Sequence, residues 1–143
     1  MQKVEIFKHE PMIYGELNDI QVLGRGKIND FEYRIYSFGT YPTAYIKIPT
    51  THPLYGVDFG DIFDIDVHCG FTYSQQEEDG YWLGWDYAHW GDYDYTTEQV
   101  NLNFAGYLIP CKKWTTDEIL EECKNVVKQL EEYKIKEIIN NGK

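Results

Sequence analysis

Between Ile48 and Cys111 the chain contains no lysine and no arginine. A stretch without bases cannot neutralise phosphates, so it is not expected to bind a nucleic-acid backbone directly. The same stretch carries eleven carboxylates: Asp58, Asp61, Asp64, Asp66, Glu77, Glu78, Asp79, Asp86, Asp92, Asp94 and Glu98. Outside it the thirteen remaining acids are matched by all thirteen bases, so the formal charge of -11 originates in this one segment. Cysteine is scarce. Cys69, Cys111 and Cys123 are odd in number and widely spaced, with no CxxC pair, which argues against a zinc knuckle or a disulfide framework. Free thiols fit a reducing cytoplasm. No apolar run reaches the length of a membrane span, and Met1 to Met12 lacks the apolar core of a signal peptide. The expectation is a soluble, intracellular protein with no membrane partner. Internal repeats and low-complexity runs are also lacking.

Aromatic residues are plentiful. Thirteen tyrosines and four tryptophans make up most of a 17% aromatic content in 143 residues. Together with a hydrophobic fraction of 43%, this predicts one globular domain spanning 1–143, with enough apolar area for a core. Tyrosine and tryptophan also suit a binding surface, being apolar in body and polar at the tip.

Alternation predicts strands at residues 3–7, Ile20 to Gly24, Phe31 to Phe38 and Thr43 to Ile48. A turn is expected at Gly24-Arg25-Gly26 and a loop over Glu10 to Asp19. In the third strand Phe31, Tyr33, Ile35 and Ser37 share one face. Pro49 to Gly60 reads as a loop, with His52 and Tyr55 in it. Ile62 to Tyr73 reads as strand, Gln75 to Gly80 as a turn, and Tyr81 to His89 as the returning strand. Gly91 to Val100 reads as loop, and Phe104 to Ile109 as an edge strand. Thr115 to Glu118 fits a capping box, opening a helix over about 116–138. Ile119, Leu120, Cys123, Val126, Val127 and Leu130 form its apolar stripe, which Tyr133, Ile135 and Ile138 extend. Strands first and helix last predict an α+β fold, a mainly antiparallel β-sheet covered by one C-terminal α-helix.

The segment Asp64-Ile65-Asp66-Val67-His68 alternates strictly. On a strand, Asp64, Asp66 and His68 project from one face, and Cys69 shares the other with Ile65 and Val67. A hairpin closed by Gln75 to Gly80, with Ser74 opposite Tyr81, sets Asp66 opposite His89 and His68 opposite Tyr87. Asp64, Asp66, His68, His89 and Asp92 are then candidate ligands for a divalent metal ion such as Zn²⁺, Mn²⁺ or Fe²⁺. Asp66, His68, His89 and Asp92 are also the candidate catalytic residues, an Asp–His pair being able to serve as acid and base without a metal. The other possibility is a structural hydrogen-bonded network. His52, Tyr55, Thr72, Tyr73, Asp86 and Tyr87 are candidate ligand-binding residues.

The strings His52-Pro-Leu-Tyr-Gly56, Asp66-Val-His68 with Gly70, Thr72 and Tyr73, and Asp86-x-Ala88-His89-x-Gly91-Asp92 resemble a family of small phage and prophage proteins to which no activity is assigned. The pattern of that family ends in a helix near Gln-Leu, matched by Gln129 and Leu130. Its likeness runs from Tyr45 to Leu130. Cys69 stands where the family has glycine, Phe71 where it has leucine, and Tyr87 where it has cysteine. The resemblance implies a bacterial host cytoplasm and, by analogy with small acidic phage proteins, inhibition of a host defence factor.

Three functions are therefore expected as candidates. The first is an inhibitor that binds a basic host protein surface through the acidic aromatic/His face. The second is a divalent-metal-dependent hydrolase of phosphoesterase or nuclease type. The third is a nucleotide-binding sink that stacks a base on the aromatic residues.

Overall fold

The computed structural model describes residues 1–15, 20–94, 100–102 and 108–141; of 100–102, 108–110 and 134–141 it describes the backbone alone. Its centre is a six-stranded sheet in which every neighbouring pair is antiparallel. The strands are β1 (Val4–His9), β2 (Gln21–Ile28), β3 (Phe31–Ser37), β4 (Pro42–Ile48), β5 (Tyr73–Glu77) and β6 (Gly80–Asp86), in the spatial order β1-β2-β3-β4-β6-β5. Strands β7 (Val100–Leu102) and β8 (Leu108–Pro110) form a separate antiparallel pair, and α1 (Thr116–Asn141) closes the described chain. The architecture is α+β, as the order of the sequence elements predicts.

The alternation in β3 survives without change: Phe31, Tyr33, Ile35 and Ser37 are buried, and the residues between them are half-buried. Register carries that face across the sheet. Tyr33 lies opposite Ile46, which lies opposite Leu83, and Ile35 lies opposite Ala44, which lies opposite Trp85. Against this face packs the helix stripe, with Ile119, Cys123, Val126, Val127 and Leu130 completely buried. Truncating any one of the larger side chains to alanine would cost about 2–5 kcal/mol, because transfer and cavity terms add. The helix starts as expected. Thr115 Oγ1 accepts from Glu118 N–H at 3.2 Å, and Glu118 Oε1 accepts from Thr115 N–H at 3.1 Å. Tyr133 extends the stripe against the core; the side chains of Ile135 and Ile138 lie outside the described residues.

Several local expectations are corrected. Gly24-Arg25-Gly26 is not a turn; β2 runs through it to Ile28, with a bulge between Val22 and Gly24. Gly26 is needed for close packing instead, since a Cβ there would lie 2.0 Å from Glu5 O and 2.8 Å from the Tyr33 ring. The turn falls at Asn29–Asp30, where Asn29 takes φ 54°. Gln75 to Gly80 is not wholly a turn either. Its first half belongs to β5, and the chain reverses through Glu78 and Asp79 alone, so Ser74 pairs with Leu83 rather than Tyr81. A two-residue turn suits the twist of adjacent strands better than a longer polar one.

Strand pairing on that hairpin begins only at Tyr73, so Ile62 to Phe71 is not a strand. The returning strand likewise stops at Asp86, short of His89. The expected edge strand at Phe104 to Ile109 falls partly on 103–107, outside the described residues; only Leu108–Pro110 is seen, paired with Val100–Leu102. The expected loops at Glu10 to Asp19 and Gly91 to Val100 also run through 16–19 and 95–99, which lie outside the described residues. Among the described residues no helix is long and apolar enough to cross a membrane.

Candidate functional site

The connection from β4 to β5 carries the chain to the outer edge of the sheet, beyond β6. On the way, residues 62–72 form a strap beside α1. The strap keeps strand-like alternation without a strand partner: Ile65 and Val67 are buried, while Asp64 and Asp66 are exposed. Helix side chains satisfy its backbone instead. Gln129 Oε1 accepts from Asp66 N–H and Gln129 Nε2 donates to Asp66 C=O, both at 2.6 Å. Glu122 Oε1 accepts from His68 N–H at 2.8 Å. Buried or partly buried backbone groups need such partners. The strap then turns through Cys69 and Gly70, both with positive φ, at 55° and 82°. That turn swings Cys69 out to solvent, not onto the face of Ile65 and Val67.

The turn delivers His68 to a compact aromatic and acidic centre. Its ring stacks on Tyr87 with centroids 4.6 Å apart and an interplanar angle of 15°, and meets Trp114 edge-on at 5.0 Å. Its Nε2 lies 2.8 Å from Asp92 Oδ2. Asp92 is 7% exposed and is held by two further donors: His89 N–H reaches Oδ2 at 3.1 Å, and Trp114 Nε1–H reaches Oδ1 at 2.8 Å. Tyr87 is completely buried and accepts Trp85 Nε1–H on its hydroxyl at 3.0 Å. Burial pushes its phenol well above the ordinary range, so it stays neutral beneath the imidazole.

The expected five-residue gathering is not assembled. Asp64 and Asp66 stand exposed on the strap, and the His89 ring centroid is 6.2 Å from that of His68. Asp66 does not oppose His89, since the hairpin pairing ends at Tyr73–Gly84. Among the described residues no three His, Cys, Asp or Glu side chains converge as metal ligands. His89 turns instead toward Asp86, with Nε2 at 3.0 Å from Oδ1. That contact is within ion-pair distance but off the line of a hydrogen bond, leaving the buried Nε2 without a well-aligned partner. Asp86 also accepts Thr72 Oγ1–H at 2.9 Å and Ala88 N–H at 3.2 Å.

The remaining candidates separate. His52 is a buried structural residue. Its Nδ1 accepts Leu54 N–H at 3.0 Å and its Nε2 lies 2.7 Å from Leu130 C=O. Those partners require the proton on Nε2, and they tie the start of the loop to the helix. Tyr55 bonds Gln76 Oε1 at 2.9 Å and packs on Tyr81, away from His68. Tyr73 bonds Glu77 and lies edge-on to Tyr45.

Between the strap and α1 lies an open cleft of about 410 Å³. Asp66, Val67, His68 and Cys69 form one wall, Glu118, Glu121, Glu122 and Asn125 the other, with Tyr87 and Trp114 also lining it. Four carboxylates thus meet in one recess. Lys112 pairs with Glu118 at 2.6 Å and Lys124 with Glu121 at 2.8 Å, answering two of them. The Lys112 ammonium beside Glu118 holds that carboxyl below its usual range. Trp114 and the helix carboxylates are not among the residues expected from sequence, although Glu118, Glu122, Asn125 and Gln129 recur at three- to four-residue spacing and so define a helix flank.

Compared with family models, curated proteins and solved structures, the chain matches none of them.

Proposed function

We propose that this protein is a binding module that engages a basic protein surface through the acidic, aromatic cleft between the strap and α1. One observation carries the reading: carboxylates of Asp66, Glu118, Glu121 and Glu122 surround the rings of His68, Tyr87 and Trp114. Carboxylates beside an aromatic wall are complementary to lysine and arginine side chains, and the chain shows the pairing itself, with Lys112 Nζ 4.0 Å from the Trp114 ring centroid and bound to Glu118; a partner's base would compete for that place. The overall charge of -11 would accelerate encounter with such a partner. The resemblance to phage proteins makes a nucleic-acid-handling host defence factor in the bacterial cytoplasm the partner in view, with the cleft occupying its basic groove.

The hydrolase reading has less support. Asp92 is already committed to three donors, an arrangement that orients His68 and Trp114 rather than one that presents a carboxylate to an ion. A nucleotide sink is disfavoured by a recess whose formal charges are mainly negative.

Immobilised protein should capture a partner from bacterial lysate, and an Asp66→Lys/Glu121→Lys double variant should not. The association rate of the purified partner should fall steeply with salt. Equal capture by both proteins, or a salt-independent rate, would overturn the proposal. Both substitutions sit on exposed side chains, so folding is preserved.

A further inference from the structure

The sheet face turned away from the helix buries a cation of its own. Arg34 lies with its guanidinium carbon 3.6 Å from the Trp82 ring centroid, 5.3 Å from that of Tyr36 and 5.6 Å from that of Tyr45. Glu77 takes the charge, with both carboxylate oxygens 3.1 Å from Arg34 Nη2. Aromatic rings and one carboxylate around a guanidinium form a cation cage.

A second recess adjoins the first and shares Tyr45 with it. The ring of Tyr45 can lie flat here because Gly84 is beneath it; a Cβ at position 84 would come within 2.5 Å of the Tyr45 ring. Tyr73 meets Tyr45 edge-on at 5.2 Å, and across the recess Phe38 and Tyr41 pair at 5.5 Å in the β3–β4 connection. Thr43, Thr72, Trp85 and Asp86 complete the lining around about 160 Å³. Asp86 is the formally charged residue of that lining, and among the described residues no lysine or arginine contributes to it.

Two polar atoms beside this recess lack good partners. Thr43 is 5% exposed, and its Oγ1 has no well-aligned hydrogen bond; it lies close enough to the Tyr45 phenol to oppose the upward pull of burial there. His89 Nε2, buried and misaligned, sits against Asp86. The recess thus repeats the chemistry of the Arg34 cage, with rings, a carboxylate and a hydroxyl, but among the described residues no lysine or arginine lines it.

We propose that the recess bounded by Phe38, Tyr41, Tyr45, Tyr73 and Asp86 is a binding site for a small organic cation, an alkylammonium or guanidinium head group. Its volume is far below the roughly 300–1,000 Å³ of sites for drug-sized ligands, so it admits a head group and not a nucleoside. Asp86, whose side chain stays 26% exposed beside its contacts with Thr72, Ala88 and His89 where that of Asp92 is 4% exposed, supplies the countercharge, and the tyrosine faces supply the cation–π attraction. Thr43 offers an oxygen to an N–H of a guanidinium guest, whereas a quaternary ammonium guest relies on the rings and Asp86 alone. This site lies on the opposite side of the sheet from the helix cleft and stands independently of the function proposed for it.

The test is titration of the full chain with tetramethylammonium chloride and with butylguanidinium chloride, followed by amide chemical shifts at constant ionic strength against sodium chloride. Saturable shifts centred on Thr43, Thr72 and Tyr73 are expected. Tyr41→Leu should weaken binding roughly tenfold, the size of a partly desolvated cation–π contact, and Tyr41→Phe should retain it. Asp86→Asn, whose one oxygen can still accept Ala88 N–H while its amide nitrogen donates to the Thr72 hydroxyl oxygen, should weaken binding by a similar factor. A parallel titration with a short peptide bearing trimethyllysine identifies the source. Equal affinity assigns the site to a free organic cation, and roughly tenfold tighter binding of the peptide assigns it to a partner's side chain. No saturable shift with any of these probes, or the same shifts from sodium chloride, would overturn the proposal.

Discussion

Gln129 holds the backbone of Asp66 from both sides, its Oε1 accepting the N–H and its Nε2 donating to the C=O, each at 2.6 Å. One amide side chain on the helix thereby does what a neighbouring strand would do for the strap. Gln129→Ala should lower stability by about 1–2 kcal/mol, two net hydrogen bonds' worth. Amide exchange at Asp66 and His68 should rise by more than the global change requires, since local opening of the strap becomes easier. Urea unfolding together with hydrogen exchange measures both. Unchanged protection at Asp66 would show that the strap is held by Ile65 and Val67 alone.

Removing the Asp92 carboxylate should be far more damaging than removing its imidazole partner. Asp92→Ala leaves His68 Nε2, His89 N–H and Trp114 Nε1–H without their common acceptor. Unsatisfied buried donors cost about 1–3 kcal/mol each, partly relieved by water, so a loss of at least about 3 kcal/mol is expected. His68→Gln, which loses the stack on Tyr87 but can still donate to Asp92, should cost about 1–2 kcal/mol. Thermal and denaturant unfolding of the two variants should rank them in that order; equal losses would place the stability of this centre in the ring stack.

Two of the three thiols, Cys69 and Cys123, should separate by reactivity. Cys123 is completely buried, and burial pushes its thiol far upward. Cys69 is exposed, with its thiol raised by partial burial and then by Asp92 and Asp86. Since the thiolate is the nucleophile, native protein should be alkylated slowly at Cys69 and not at Cys123, and mildly alkaline pH should speed the former. Mass spectrometry after pulse labelling reads the sites directly. Labelling of Cys123 at the rate of Cys69 in native protein would contradict its place in the helix stripe.

Cys69 takes φ 55°, a conformation that strains a residue with a Cβ by about 1–2 kcal/mol. Glycine relieves that strain but gains entropy when unfolded, so Cys69→Gly should change stability by between about 0 and +1 kcal/mol. The next residue behaves oppositely. Gly70 takes φ 82° in open space, with nothing within 4 Å of where a Cβ would stand, so Gly70→Ala should cost about 1 kcal/mol from backbone conformation alone. Denaturation midpoints of the two single variants check the opposite signs.

Acid should loosen the helix start. Hydrogen bonding and attraction from Lys112, opposed by partial burial and aided by Thr115, hold the Glu118 carboxyl below its usual range. A carboxyl depressed in the folded state contributes stability above its unfolded pKa. That contribution is lost as pH falls through the folded value. The Tm should therefore decline on acidification below the ordinary glutamate range, and Glu118→Gln should have a shallower decline than the parent chain.

The sheet face and the helix stripe are readable because each follows a period. Phe31, Tyr33, Ile35 and Ser37 recur every second residue, and Ile119, Cys123, Val126 and Leu130 every third or fourth; burial follows both patterns. The capping box at Thr115 and Glu118 is readable for a related reason, since both partners lie within one turn. The Asp64 to Val67 alternation correctly separates exposed from buried side chains but does not mark a strand, and His68, next in the pattern, is drawn into the centre around Asp92. Period two reports which side chains face the core and says nothing about what pairs with the backbone. Here Gln129 and Glu122 take that role, from more than fifty positions away along the chain.

What the sequence determined by itself is thus the fold class, the helix, the core faces and the concentration of acid in one base-free stretch, because each depends on local pattern or on composition. The tertiary structure alone decided which of those acids and histidines meet. It joined His68 to Asp92 and Trp114, turned His89 to Asp86, buried His52 under the helix and left Asp64 and Asp66 in solvent. A two-residue turn at Glu78–Asp79 and two positive-φ residues at 69 and 70 set those positions. Small backbone choices of this kind shift register and direction for everything that follows, and no period in the side chains records them.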